Sequence, residues 1–191
     1  MNRIFFRLGL GLIMLAQFAV ATSWADAAPD CPDFNGGSVA INNQQVLQWE
    51  SSTANQYTSR GHVSGNIVEL YPDRNGHEHF AIQIGPNAGD RIEIVYNQDF
   101  GAVGTPRIGD QVEACGDYIT STAQSGPYPP SPDNAIVHWV HSSPNPSKHP
   151  SGFMMINGTV FGGDTADAGP KQYPNNPNNN NNGCSRRHPN C

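Results

Sequence analysis

Five short runs of alternating apolar and polar residues, each bounded by turn-forming residues, constrain this chain most. They are Gly61–Leu70, His77–Ile84, Arg91–Tyr96, Ile108–Tyr118 and Ala135–Val140. A period of two sends successive side chains to opposite faces of a sheet, so each run reads as a half-buried strand. In the second, Phe80, Ile82 and Ile84 share one face and His77, His79 and Gln83 the other. In the third, Ile92, Ile94 and Tyr96 point inward. In the fourth, Val112, Ala114 and Tyr118 share a face with Gly116, while Cys115 points away. The first run loses its alternation near Asn66, and Gly65 beside it suits a bulge or a sharp bend. Asn157-Gly158 lies between Phe153–Ile156 and Thr159–Phe161, the strongest short signal for a hairpin. Helical spacing is confined to Gln44–Trp49, where Trp49 reads as a core or capping residue. The expected fold is all-β: a small five-stranded barrel of the oligonucleotide/oligosaccharide-binding (OB) type with an extra C-terminal hairpin. A small β-sandwich is the alternative.

The two ends differ from this middle. Arg3 and Arg7 precede an apolar run, Leu8–Ala21, and Ala25-Asp26-Ala27 follows with small residues where a signal peptidase reads. The run falls short of the roughly 20 apolar residues of a membrane span. Residues 1–27 are therefore expected to be a signal peptide, 28–58 an N-terminal extension and 59–161 the barrel. Residues 162–191 are expected to be a disordered Asn-rich tail, since such a composition cannot bury apolar surface. The expected compartment is periplasmic or secreted.

Charge and cysteine content narrow the partners. The formal net charge is −6, and loss of Arg3, Arg7 and Asp26 with the leader makes it more negative by one unit. Such a field disfavours general nucleic-acid binding, which depends on cationic contacts to phosphate. Cys31, Cys115, Cys184 and Cys191 all follow the leader, and an even count in an oxidising compartment suggests two disulfides. Three connectivities are open. Cys184–Cys191, closing a short loop at the tail tip, and Cys31–Cys115, tying the N-terminal segment to a strand, are favoured.

Chemistry concentrates between Asn134 and Phe153, which carries His138, Trp139, His141 and His149. Imidazole binds metal and moves protons near neutral pH. His77, His138, His141 and His149 form a candidate site for a divalent metal, zinc foremost; the competing reading is structural, with His138 a satisfied sheet histidine, Trp139 a core plug, and His141 and His149 bonded to backbone groups of the irregular loop. Glu78 or Asp117 could stand behind them. On a regular strand His138 and His141 face opposite ways, so both can join one site only if the chain twists or the strand ends soon after Val140. Trp139, Tyr96 and His79 are candidate ligand-binding residues. His62 and His188, like His79, are weaker metal candidates, as exposed strand or tail positions. No nucleophile elbow and no phosphate-binding glycine loop is present.

These residues carry a resemblance. Gly61-x-Val63, His77 three residues before Phe80, Gly109-Asp110-x-Val112-x-x-x-Gly116-x-Tyr118, Ile136-Val137-His138-Trp139-x-His141, His149 before Gly152-Phe153, and Asn157-Gly158 resemble domain-of-unknown-function family 3465, small exported bacterial domains. The resemblance covers about residues 59–161. Where its members tend to have His-His-Asp-Pro after the tryptophan, this chain has His141-Ser142-Ser143-Pro144, one histidine and one acidic residue fewer. Phe153 stands where they have tryptophan. The resemblance implies export and a small β domain, and it brings no established reaction.

The expected function is that of an uncharacterised exported β-barrel, a ligand- or partner-binding module with a histidine cluster. Its partner would be a glycan, a peptide or an envelope protein. The alternative is a metal-dependent hydrolase, nuclease- or phosphoesterase-like, built on the same histidines. A purely structural subunit of an envelope complex is a third reading.

Overall fold

The computed structural model describes residues 27–163. The expected leader up to residue 26, the tail from residue 164 and the Cys184–Cys191 bridge lie outside the described residues. One helix, α1 (Asn43–Ser52), precedes seven strands: β1 (Thr58–Arg74), β2 (His77–Gln83), β3 (Arg91–Asn97), β4 (Gln111–Thr120), β5 (Ala135–His138), β6 (Phe153–Ile156) and β7 (Thr159–Phe161). No helix among the described residues is long and apolar enough to cross a membrane.

The strand order is β1-β2-β3-β5-β4-β6-β7, and β1 also pairs with β4. The first five strands thereby form a ring, β1-β2-β3-β5-β4-β1. All its pairings are antiparallel except β3 with β5. This is the expected all-β, OB-like architecture. The hairpin β6–β7 extends it as an outer flap on β4, turning at Asn157 and Gly158, both at positive φ. Two central residues at positive φ match the twist of a tight two-residue hairpin.

Strand β1 is longer than its sequence pattern implies and serves two neighbours. Thr58–Asn66 pairs with β4, and Asn66–Arg74 pairs with β2. The lost alternation near Asn66 is where the strand passes from one partner to the other. A Cβ on Gly65 would meet the carbonyl oxygen of Gln83 well inside contact distance, so only glycine lets the two backbones approach there.

Inside the ring lie Val63, Ile67, Phe80, Ile82, Ile92, Ile94, Tyr96, Val112, Ala114, Tyr118, Ala135 and Val137, all essentially without exposed surface. Val46 of α1 joins this core, with Leu47 and Trp49 packed against it. The ring of Trp49 lies 5.3 Å from that of Tyr118 and 6.1 Å from that of Tyr57, so the helix plugs one end of the ring of strands. A second apolar cluster lies outside it. Cys31, Cys115 and Phe153 form its centre, with Val39, Met155 and Val160 around them. The Cys31–Cys115 disulfide, with Cα atoms 5.6 Å apart, ties the N-terminal segment to β4 as expected.

Candidate functional site

Strand alternation sends His77, His79, Glu93, Asp117 and His138 to the outer face of the ring, opposite the core residues just named. Register then aligns them. Asp117 of β4 stands directly across from His138 of β5 and, on its other side, from Arg60 of β1. Glu93 of β3 is across from Ala81 of β2, one outward position along from His79. The loop 139–152 folds back over this wall and adds Trp139, His141 and His149.

Strand β5 ends at His138, two residues earlier than the sequence alternation suggests. The reason is Trp139, whose φ of 57° puts it in the left-handed region, where a bulky residue is an outlier. The chain turns there, and His138 and His141 are no longer held to opposite faces. Glycines make the turn possible. A Cβ on Gly116 would collide with the His138 carbonyl oxygen. One on Gly152 would collide with the Trp139 carbonyl oxygen, and one on Gly162 would press on Val140 and His141. The His138–His141 backbone thus lies in a trench lined by three residues without side chains.

The aromatic rings gather around this turn. His77 and His138 have centroids 5.4 Å apart, and His77 and His79 6.5 Å. Trp139 is 5.9 Å from His138 and 5.2 Å from His141. His149 stacks on Trp139 at 4.1 Å with planes 7° apart. His141 stacks on Phe100 at 3.7 Å and 13°, and is only 3% exposed.

Each flanking imidazole uses Nδ1 on an oxygen acceptor. His77 donates to the Asn75 carbonyl at 3.0 Å and His141 to the Ser142 carbonyl at 2.9 Å. His79 donates to Glu93 Oε1 and His149 to Asp117 Oδ2, both at 2.6 Å. Carbonyl and carboxylate oxygens only accept, so Nδ1 must carry the proton in all four rings. In a neutral ring the lone pair is then on Nε2.

Asp117 is held from behind. Arg60 Nη1 donates to Asp117 Oδ1 at 2.8 Å, with side chains 3% and 6% exposed. Arg60 Nη2 also reaches the Ser151 carbonyl at 2.6 Å and Cys115 Sγ at 3.2 Å. One guanidinium therefore binds the carboxylate, the end of the loop and the disulfide.

Burial, then the neighbouring imidazoles His77, His141, His79 and His149, push the pKa of His138 well below the usual histidine value. Some surface of His138 still reaches solvent, but the surrounding protein encloses the ring deeply enough to disfavour its charged form. His77 is also lowered, chiefly by burial, with the Asn75 carbonyl opposing. The unfolded chain protonates both near 6.5, so they subtract stability as pH falls below that value. Two glutamates act with the opposite sign. Burial, then Asp133 and Asp90, pushes the Glu50 carboxyl up to about 8, and burial, then Asp73, pushes Glu78 up to about 7. The folded protein keeps these protons after the unfolded chain has released them. Their contribution is full below 4.5 and is lost as pH rises toward 8. The melting temperature is expected to fall between pH 6.5 and 8, and Glu50→Gln with Glu78→Gln to flatten that fall. A parent melting temperature that rises across the window contradicts the assignment.

All four histidines expected at a metal, His77, His138, His141 and His149, come to this one face. Among the described residues, however, no three His, Cys, Asp or Glu groups already stand in position to hold an ion. Several expectations need correction. Tyr96 is wholly inside the core and offers no face to an external ligand. Glu78 projects away from His77 and His79, at the position across from Tyr96, so it does not brace them. His79 is not an exposed strand residue but is paired with buried Glu93. His62 is 8% exposed, with Nδ1 on the Val39 carbonyl and Nε2 on Glu113. Glu93, Arg60 and Phe100 join the site in addition to the expected residues. The first two follow once the strand register is known, because both lie on outward positions beside an outward partner.

No family model matches the chain, and no curated protein matches it.

Proposed function

We propose that this chain is an exported binding module of OB type whose outer imidazole face takes up a transition-metal ion, zinc first among them. One observation carries the reading. His77, His79, His141 and His149 all commit Nδ1 to an oxygen and surround a neutral His138. Metal-bound histidines nearly always donate their other ring N–H to a carboxylate or carbonyl, which fixes the tautomer and raises basicity. The resemblance to domain-of-unknown-function family 3465 supports the expected compartment, and the buried disulfide is compatible with it. The glycan reading has less support, because Trp139 is engaged by His149 and Tyr96 is buried. A metal-dependent hydrolase is the second reading, favoured by one detail: Arg60 and Asp117 brace His149 as a base would be braced.

The test is the metal content of mature protein purified without a histidine tag, by mass spectrometry, beside a His138→Ala/His149→Ala variant. Close to one zinc, copper or nickel ion per parent chain, lost in the variant, is the expected result. No ion in the parent after incubation with each metal sinks the proposal.

A further inference from the structure

The metal-binding reading leaves open which imidazoles coordinate and what charge the ion carries. Five rings crowd this face, more than a tetrahedral site uses. They differ in how they are held.

His141 is the poorest ligand. Its ring lies flat on Phe100 at 3.7 Å and is almost wholly covered, so it acts as packing for the loop. His77 and His138 are the best placed. Two imidazoles bonded to one ion at about 2.0–2.1 Å have centroids roughly 5 Å apart at a tetrahedral angle, and these two stand at 5.4 Å. His79 is 6.5 Å from His77 and needs about 1 Å of approach by the same reckoning. Its Nδ1 bond to Glu93 can serve as the pivot. His149 also stacks on a ring, Trp139 at 4.1 Å, but it is carried by a loop and its side chain is 36% exposed where His141 is covered, so it is the stacked ring that can leave its platform for the site while keeping Asp117 on Nδ1.

Charge separates the classes of ion. Glu93 and Asp117 place two buried carboxylates directly behind the imidazoles, and Arg60 offsets one of them. Soft monovalent ions favour thiolate and thioether ligands, and this face has neither. Met154 is in the barrel core and Cys115 is in a disulfide.

We infer that the ion is divalent and is held by His77, His79 and His138 on the barrel wall and by His149 on the loop, with Glu93 and Asp117 behind them. This rests on the metal-binding reading above. It differs from the set expected from sequence by admitting His79 and setting aside His141. It also accounts for a site that is not yet closed: one pair is preset, and two rings must turn inward.

The experiment is titration of the untagged mature chain with Zn2+, Co2+ and Ag+, comparing parent, His79→Ala, Glu93→Gln and His141→Ala, each first shown folded by far-ultraviolet circular dichroism. Glu93→Gln is included because it preserves shape if His79→Ala does not fold. The parent is expected to bind Zn2+ and Co2+ in preference to Ag+. Glu93→Gln should weaken zinc about 10–100-fold, as loss of an outer carboxylate does. His79→Ala should weaken it further and change the visible spectrum of bound Co2+. His141→Ala should leave both unchanged. Zinc binding lost in His141→Ala but intact in His79→Ala and Glu93→Gln overturns this inference alone. Silver bound more tightly than zinc overturns the charge assignment. A parent that takes up no divalent ion overturns the metal-binding reading as well.

Discussion

Replacing Cys31 and Cys115 together by serine is expected to remove about 4–5 kcal/mol of stability, by the chain-entropy estimate for a closed loop of this length. The bridge joins residues 84 apart in sequence. In the unfolded chain it restrains nearly everything between α1 and β4, which is why the expected effect is large. The native state adds a second contribution. Cys31 and Val39 cover Phe153, Met155 and Val160 on the outside of the ring, and without the bridge the N-terminal segment is held to β1 mainly by hydrogen bonds such as Asn42 N–H to the His62 carbonyl and His62 Nδ1–H to the Val39 carbonyl. A domain of this size has about 5–15 kcal/mol in all, so the variant should unfold near physiological temperature. Urea denaturation measures it. A loss below about 1 kcal/mol would show that the unfolded chain is not restrained as the loop length implies.

The second large effect belongs to Arg60. Arg60→Met is expected to cost about 3–5 kcal/mol, the usual penalty for leaving one member of a buried ion pair alone. Asp117 is 6% exposed, and its other oxygen faces His149, so removal of the guanidinium leaves a dry carboxylate with one partner. The Ser151 carbonyl loses its donor as well. Burial already works against the charge on Arg60, and Asp117 opposes that tendency. The cost is therefore that of an orphaned partner rather than the net worth of the pair. Arg60→Met with Asp117→Leu should be less destabilised than Arg60→Met alone, and a double variant that is worse contradicts the account. Because Arg60 also touches Cys115, its substitution and the loss of the disulfide should not add. Contacting residues commonly couple by about 0.5–3 kcal/mol.

The ring of strands was legible because a half-buried strand must alternate. Phe80, Ile82, Ile92, Ile94, Val112 and Ala114 each point inward as their spacing requires. Gly65 marked the bend and Asn157-Gly158 the hairpin for the backbone reasons that make those residues necessary. The end of β5 was not legible. Nothing about a tryptophan announces a left-handed backbone. Trp139 adopts one because Gly116, Gly152 and Gly162, scattered over 47 positions of sequence, together hollow out the path. The role of Glu93 was hidden for a related reason. Its partner His79 lies on the neighbouring strand, and only the hairpin register brings them together. His62 and His79 are covered although they lie on outward positions, because alternation separates only the inside of the ring from its outside, and on that outside His62 meets the Val39 carbonyl and Glu113, and His79 meets Glu93.

The glycine-lined trench also determines how the chain can vary. A saturation library sorted for folded protein alone should reject nearly every change at Gly116 and Gly152, though neither contributes a side chain to the face, and should pass many at His149. Sorting the same library for metal uptake should discard those His149 survivors while adding nothing at the glycines. Tolerance maps from the two sorts would separate the positions that shape the path of the backbone from those that face the ion.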